Sequence, residues 1–299
     1  MRIASNALAD VRRFYLAELK GLYPAEEAGA LFDWAAEEIL GEPRAVFRAQ
    51  ADRRVSESEL LRFFEAAKRL RKGEPVQYVF GRAYFDDMVL EVSPAVLIPR
   101  PETEQLVSLV AEEAKAVQTR LTAGGGRLRV WDACTGSGCI ALALYRRLNG
   151  QAEVLGSDVS DEALVVARRN AGAWGMPAAA PLRFIRHDLL ADAPLAGPWH
   201  VIVSNPPYVR ESEKALMRGN VLHYEPASAL FVPDADPLRF YETLGRIARN
   251  TLAEDGVLWA EINEALPDEL TALYRGLGFS AVEIRRDFRD KPRFVRVRR

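Results

Sequence analysis

Residues 128–144 read LRVWDACTGSGCIALAL. A short apolar run ends in small residues and passes straight into a helix-forming segment, which is the pattern of a buried strand, a tight turn and a helix. Gly136, Gly138 and Ala141 match the Gly-x-Gly-x-x-Gly/Ala fingerprint, in which small residues allow a tight turn and close approach of backbone to a ligand at a helix start. Taken alone, an ordinary strand-to-helix turn explains the same residues. Further apolar runs follow at Glu153–Ser157, Leu182–Arg186, Val201–Ser204 and Val257–Ile262, with amphipathic segments between most of them. Strand then helix, repeated, predicts an α/β fold with a doubly wound, mostly parallel sheet. The last two runs, AVEI and FVRV, are separated by a short polar turn and predict an antiparallel pair at the end of the sheet.

The strand ends carry the chemistry. EVLGSD ends at Asp158, at the spacing where a carboxylate accepts from ribose hydroxyls. RFIRHD ends at Asp188, where a carboxylate can accept from an adenine amino group; capping a helix N-terminus is the alternative reading. HVIVSNPPYV places Asn205-Pro206-Pro207-Tyr208 directly after an apolar strand, at the edge where open α/β sheets bind ligands. Two prolines stiffen the turn and remove two donors, leaving the Asn205 side-chain oxygen and the Pro206 carbonyl to accept from a planar NH2 group, with the Tyr208 ring against its plane. A hydride-transfer enzyme would share the glycine loop and Asp158 but has no use for this turn. The conjunction predicts methyl transfer to an amide or exocyclic amine nitrogen.

With 299 residues, 49% of them hydrophobic, the chain has material for one large domain and a small one. No apolar stretch of about 18 residues suggests a membrane span, so a cytoplasmic protein is expected. A formal net charge of −2 gives no basic footprint for direct nucleic-acid binding. Cys134 and Cys139, the only cysteines, form neither a disulfide framework nor a zinc pattern, and no metal is expected. His187, His200 and His223 are scattered and read as structural. Arg285, Arg286, Arg289, Lys291, Arg293, Arg296, Arg298 and Arg299 crowd the C-terminus; Val295 and Val297 alternate with Arg296 and Arg298, which predicts a solvated, charged edge strand. Residues 1–73 read as a helical module, with Pro24 at a helix start, Gly41 as a stop, Ser56 and Glu59 as a capping box, and Gly73 as a second stop. It carries no metal ligands or glycine loop, which suggests recognition. Residues 74–98 hold the short runs QYVF and MVLEV and predict a β-hairpin linker. The sheet domain fills 99–299.

GEPVQYVFGRAYF, VLIPRPETEQLV, DACTGSGCIALAL, SDVSDEAL, VSNPPYV and YEPASALF follow one another from Gly73 onward. In these segments the chain resembles the peptide chain release factor glutamine methyltransferases (the HemK/PrmC family), within the Rossmann-like class I S-adenosylmethionine-dependent enzymes. The resemblance implies S-adenosylmethionine as cofactor, held by Cys134, Thr135, Gly136, Ser137, Gly138, Asp158, Asp188, Leu189 and Asn205. It implies Asn205, Pro206, Pro207 and Tyr208 as the substrate-binding turn, release factors as protein substrate, a monomer, and a small N-terminal helical domain ahead of the hairpin. A ribosomal-protein glutamine methyltransferase or a nucleic-acid exocyclic-amine methyltransferase is the alternative. The chain departs from the family at Cys134, where many relatives have glycine, and at Leu189, where some have tryptophan near the adenine. It departs again at Glu261-Ile262-Asn263 in place of Glu-Ile-Gly, and at Asp236-Pro237-Leu238 in place of Asp-Gly-Leu.

Overall fold

The computed structural model describes residues 4–50, 52–176 and 180–299; residues 1–3 and 51 of the expected helical module lie outside the described residues. The chain divides into two compact units, residues 1–82 with 218–224, and residues 83–217 with 225–299.

The first unit is built from α1 (Leu8–Leu19), α2 (Ala25–Leu40), α3 (Arg44–Arg48), α4 (Glu57–Arg71) and α5 (Val76–Phe80). Its boundaries follow local chemistry. Pro24 sits at the N-cap of α2, and Gly41 ends that helix in the left-handed region. At α4 both halves of the capping box form, Glu59 N–H donating to Ser56 Oγ and Ser56 N–H to the Glu59 carboxylate. Val11, Tyr15, Phe32, Phe63 and Leu70 fill the core, with the rings of Phe32 and Phe63 stacked at 5.7 Å. The QYVF run, expected as β structure, is helical. Pro75 precedes α5 as its N-cap and Gly81 closes it in the left-handed region, so the helical unit runs on past Gly73.

The second unit begins with a hairpin, β1 (Arg82–Phe85) and β2 (Met88–Glu91), turned by Asp86 and Asp87 with φ of 49° and 58°. Positive φ at both central residues suits the twist of a two-residue hairpin. Phe85, Met88 and Leu90 are buried in the same core as the large sheet. Along the chain follow α6 (Pro101–Ala123), β3 (Arg129–Ala133), α7 (Cys139–Arg147), β4 (Glu153–Asp158), α8 (Asp161–Ala173), β5 (Leu182–Arg186), β6 (Trp199–Ser204) and β7 (Val209–Arg210). Next come α9 (Gly219–Tyr224), which belongs to the first unit, then β8 (Phe231–Val232), α10 (Arg239–Thr251), β9 (Leu252–Glu261), α11 (Pro267–Gly276), β10 (Ala281–Arg286) and β11 (Pro292–Arg298). Among the described residues no helix is long and apolar enough to cross a membrane.

The seven-stranded sheet has the order β10-β11-β9-β6-β3-β4-β5. Six strands share one direction, and β11 is antiparallel to both of its neighbours, β9 and β10. Both faces are covered, which is why the parallel strands read as continuous apolar runs. Successive residues serve opposite faces: Val130, Val201 and Val203 pack with Leu106, Val110 and Ile140, whereas Trp131, Ile202 and Leu258 pack with Tyr241, Leu244 and Tyr274.

One expectation fails at the C-terminus. The FVRV run is an interior strand, and β10 is the edge. Val295 and Val297 are buried on one face. On the other, Arg296 and Arg298 donate to the carboxylate of Glu113 on α6, which also accepts from Trp259 Nε1 at 2.9 Å. Burial works against charge on Glu113, but Arg296 and Trp259 outweigh it and hold the carboxyl below its ordinary range. The alternation predicted a dry face and a wet one; both are covered, one by apolar side chains and one by a carboxylate. Replacing Glu113 by Ala leaves the Trp259 indole N–H without its partner, while Arg296 keeps Glu283 at 2.8 Å and Arg298 is part-exposed, so the loss expected in urea denaturation is about 1–2 kcal/mol; a loss below about 0.5 kcal/mol would show the cluster to be solvated like an ordinary surface pair.

Candidate active site

Strand order reverses between β3 and β6: β4 and β5 lie outward of β3, and β9 lies on the far side of β6. The loops leaving two such neighbouring strands diverge, and a crevice forms at their carboxyl ends. A cleft with about 990 Å³ of empty space, its open mouth included, lies there, lined by loop residues 134–137, Asp158, Asp188, Leu189, Asn205 and Pro207, and by Arg100 and Thr103 at the start of α6.

The loop after β3 is held from beneath by Asp132, which is fully buried. Its Oδ2 accepts from Thr135 Oγ1 at 2.6 Å and from Ala141 N–H at 3.1 Å. Cys134 stands at φ 61°, a conformation that costs an L side chain and that glycine takes freely. Gly138 has φ +79°, and a Cβ there would lie 3.1 Å from both the Ala167 Cβ and the Phe184 ring. Burial pushes the Cys139 thiol up to about 12 and that of Cys134 higher, so both are protonated at neutral pH and act by packing.

Asp158, at the end of β4, accepts from Gly136 N–H at 2.9 Å through Oδ2 and from Ser160 N–H at 3.0 Å through Oδ1. Each oxygen keeps a lone pair for a ligand hydroxyl. Asp188 caps no helix. Its Oδ1 accepts from Leu190 N–H at 2.9 Å, capping a turn rather than a helix, and the residue also lines the cleft. His187, expected to be structural, lines the cleft as well. Its Nε2 lies 3.1 Å from the Ala193 carbonyl and so carries the proton, which leaves the buried Nδ1 as an acceptor with no protein partner. Asp188 in the cleft wall suits an amino-bearing base, and Val159, Leu189 and Phe240 supply apolar walls for it. The residues therefore fit a nucleoside ligand with its sugar at Asp158. His200 is structural, its Nδ1 accepting from Arg129 N–H at 3.0 Å.

After β6, Asn205 is half-buried and lines the cleft with Pro207, while Pro206 and Tyr208 are not among the lining residues. The Tyr208 hydroxyl donates to Glu261 Oε1 at 2.9 Å. Glu261 Oε2 accepts from Thr103 Oγ1 at 2.8 Å, and Asn205 Nδ2 donates to Thr103 Oγ1 at 3.2 Å. Burial pushes the Glu261 carboxyl up, against the two hydroxyls and the charge of Arg293. Asn263 donates to the Tyr208 carbonyl at 3.1 Å and to Glu213 at 2.9 Å, adding a clamp on the end of the turn. Glu225 accepts from Ile98 N–H at 3.1 Å and from Arg100 at 2.5 Å, which joins the VLIPRPETEQLV and YEPASALF segments across the cleft mouth. Sequence reasoning named the Asn205 turn, the glycine loop and the strand-end aspartates, and the structure brings them to one cleft. It missed Asp132, Thr103, Glu225 and Glu261. For Glu261 the available signal was a carboxylate ending an apolar strand.

Residues 10–81 match the family model described as PrmC N-terminal domain, and residues 114–230 the one described as methyltransferase small domain. The chain is similar to the release factor glutamine methyltransferase of Bacteroides thetaiotaomicron, 37% identical over 94% of this chain and 96% of that protein. It is also similar to the release factor glutamine methyltransferase of Chlorobaculum tepidum, 38% identical over 84% of this chain and 83% of that protein. Among solved structures, the hMettl16 catalytic domain in complex with MAT2A 3′UTR hairpin 6 shares the fold, with TM-score 0.53 and 15% identity over 81% of this chain and 82% of that one.

Burial pushes the Asp132 carboxyl from an ordinary 3.8 to about 7, against the bonds from Thr135 and Ala141. The folded chain thus binds this proton more tightly than the unfolded chain. The resulting stabilisation is complete below the unfolded value and is lost as pH rises through about 7. Asp132→Asn removes the titration, so wild-type stability should fall relative to the variant between these limits, by up to about 1.4 kcal/mol per pH unit. Urea denaturation of both proteins across that range measures it, and parallel profiles would show that Asp132 ionises as freely as a surface carboxylate.

Proposed function

The chain belongs to the release factor glutamine methyltransferases, and on that premise we propose that it transfers a methyl group from S-adenosylmethionine to the side-chain amide nitrogen of a glutamine in a peptide chain release factor. The observation that carries the reading is the meeting, in one cleft, of the loop after β3, Asp158 and the Asn205 turn. Gly136 to Gly138 let the backbone approach the cofactor, Asp158 accepts from its ribose hydroxyls, and Asp188 accepts from its adenine amino group. Leu189 and Val159 pack the base. When bound, S-adenosylmethionine supplies a methyl group on a sulfonium centre.

An amide nitrogen is a poor nucleophile because its lone pair is delocalised, so orientation contributes more than an acid or a base. Asn205 Oδ1 and the Pro206 carbonyl accept the two hydrogens of the substrate NH2 group and hold its nitrogen in line. The same two oxygens stabilise positive charge as it develops on that nitrogen. Pro206 and Pro207 keep both acceptors rigid, and Tyr208, anchored on Glu261, fixes the turn from behind. The new carbon–nitrogen bond would form as the methyl carbon's bond to sulfur breaks, with S-adenosylhomocysteine as the leaving group, and the nitrogen would give up one proton to solvent. The helical module at the N-terminus serves recognition of the protein substrate, and the enzyme works in the cytoplasm as a monomer.

Asn205→Ala is expected to leave S-adenosylmethionine affinity within about threefold while methyl transfer falls roughly 100-fold or more. Calorimetry and transfer of labelled methyl to a purified release factor measure the two quantities. Wild-type turnover in the variant would sink the role of Asn205, and label on transfer RNA instead of the release factor would overturn the substrate.

A further inference from the structure

Asn205 can present either its oxygen or its NH2 group to the cleft, and the two orientations have nearly the same shape. Only the first accepts from a substrate amide. What selects it can be worked out by counting hydrogens. The Glu261 carboxylate is buried at the end of β9 and takes two hydroxyl donors, Tyr208 at Oε1 and Thr103 at Oε2. A threonine hydroxyl has one hydrogen. Since that hydrogen is committed to Glu261, Thr103 Oγ1 can only accept from its other neighbour, 3.2 Å away on Asn205. The neighbouring atom must then be Nδ2, and Oδ1 is left for the cleft that Asn205 lines. Thr103 is itself 2% exposed, so water does not compete for its lone pairs.

We propose that Thr103 and Glu261 are positioning residues that lock the side-chain amide of Asn205 with its oxygen toward the cleft, and thereby make the site choose a side-chain amide over a carboxylate. The inference rests on the reading of Asn205 as the acceptor for the substrate nitrogen. A glutamine presents two hydrogens to the pair of oxygens formed by Asn205 Oδ1 and the Pro206 carbonyl. A glutamate presents only lone pairs and charge, and both oxygens are left unpaired. Sites built to accept from a substrate N–H reject analogues lacking it strongly, because the buried acceptors stay unsatisfied. Without the relay, Asn205 can turn its NH2 group to the cleft, which accepts a carboxylate as readily as an amide.

The test uses the full chain and two forms of a release factor, one with its acceptor glutamine and one with glutamate in that place. Wild-type enzyme should bind the glutamine form at least about tenfold more tightly. Thr103→Val, which keeps the shape and removes the relay, should bring that ratio to within about threefold and lower kcat about tenfold or more, with S-adenosylmethionine affinity unchanged. Thr103→Ser, which keeps the hydroxyl, should recover most of both losses, and Glu261→Gln should reproduce the effect of Thr103→Val. Full discrimination and kcat in Thr103→Val, while Asn205→Ala is inactive, would overturn the relay and leave Asn205 in place. Full activity in Asn205→Ala would remove the reading beneath it. A Thr103→Val protein that loses cofactor affinity as severely as turnover would show Thr103 to be merely structural and would also overturn the proposal.

Discussion

A single buried carboxylate ties together the parts of the cleft that the sheet alone leaves independent. Glu261 ends β9, Tyr208 follows the neighbouring strand β6, and Thr103 belongs to the first turn of α6, which packs on both; two hydroxyls donating to one carboxylate fix the ends of these elements to one another. Burying such a group is costly unless it is fully hydrogen-bonded, so the arrangement holds as a set or not at all. Without it, the Asn205 turn would keep its two prolines and the Asn263 clamp on the Tyr208 carbonyl but lose its tie to α6.

The same economy recurs at the other carboxylates. Asp132 holds the loop after β3 through Thr135 and Ala141, Asp158 holds it again through Gly136, and Glu225 joins two distant segments through Ile98 and Arg100. Each takes backbone or side-chain donors that would otherwise be orphaned by a loop leaving the sheet. Of these, Asp132 works from below the loop, whereas Asp158 keeps lone pairs on the cleft side. A fold whose strands all end on one edge concentrates unpaired donors there, and acidic residues are the natural partners for them.

Much of this was legible in the sequence. Parallel strands covered on both faces are largely apolar, so β3 and β6 stood out as runs, with β4 and the edge strand β5 weaker, and their ends marked the site. The C-terminal strand misled because alternation records only which residues share a face, not what covers it; the partner of Arg296 is Glu113, 183 positions away. QYVF misled because four residues cannot distinguish a strand from one turn of helix, and the prolines and glycines around it decided the matter. Thr103 and Glu261 are separated by 158 positions, and nothing local to either announces the bond. Asn263 was visible only as a departure from the family pattern, and its clamp on Tyr208 required the fold.

The first unit includes residues 218–224, although the rest of it ends at Arg82. In that unit Tyr224 donates to the Lys72 carbonyl at 3.0 Å and Arg218 pairs with Glu27 at 3.6 Å. A chain leaving the ribosome at about 5–20 residues per second exposes the five N-terminal helices on the order of ten seconds before it delivers α9 to them. The helical unit therefore waits, with one of its own pieces missing, until β3, β4, β5 and β6 have been synthesised. Synthesis order thus sets assembly order: the unit that starts first is completed only after much of the sheet exists.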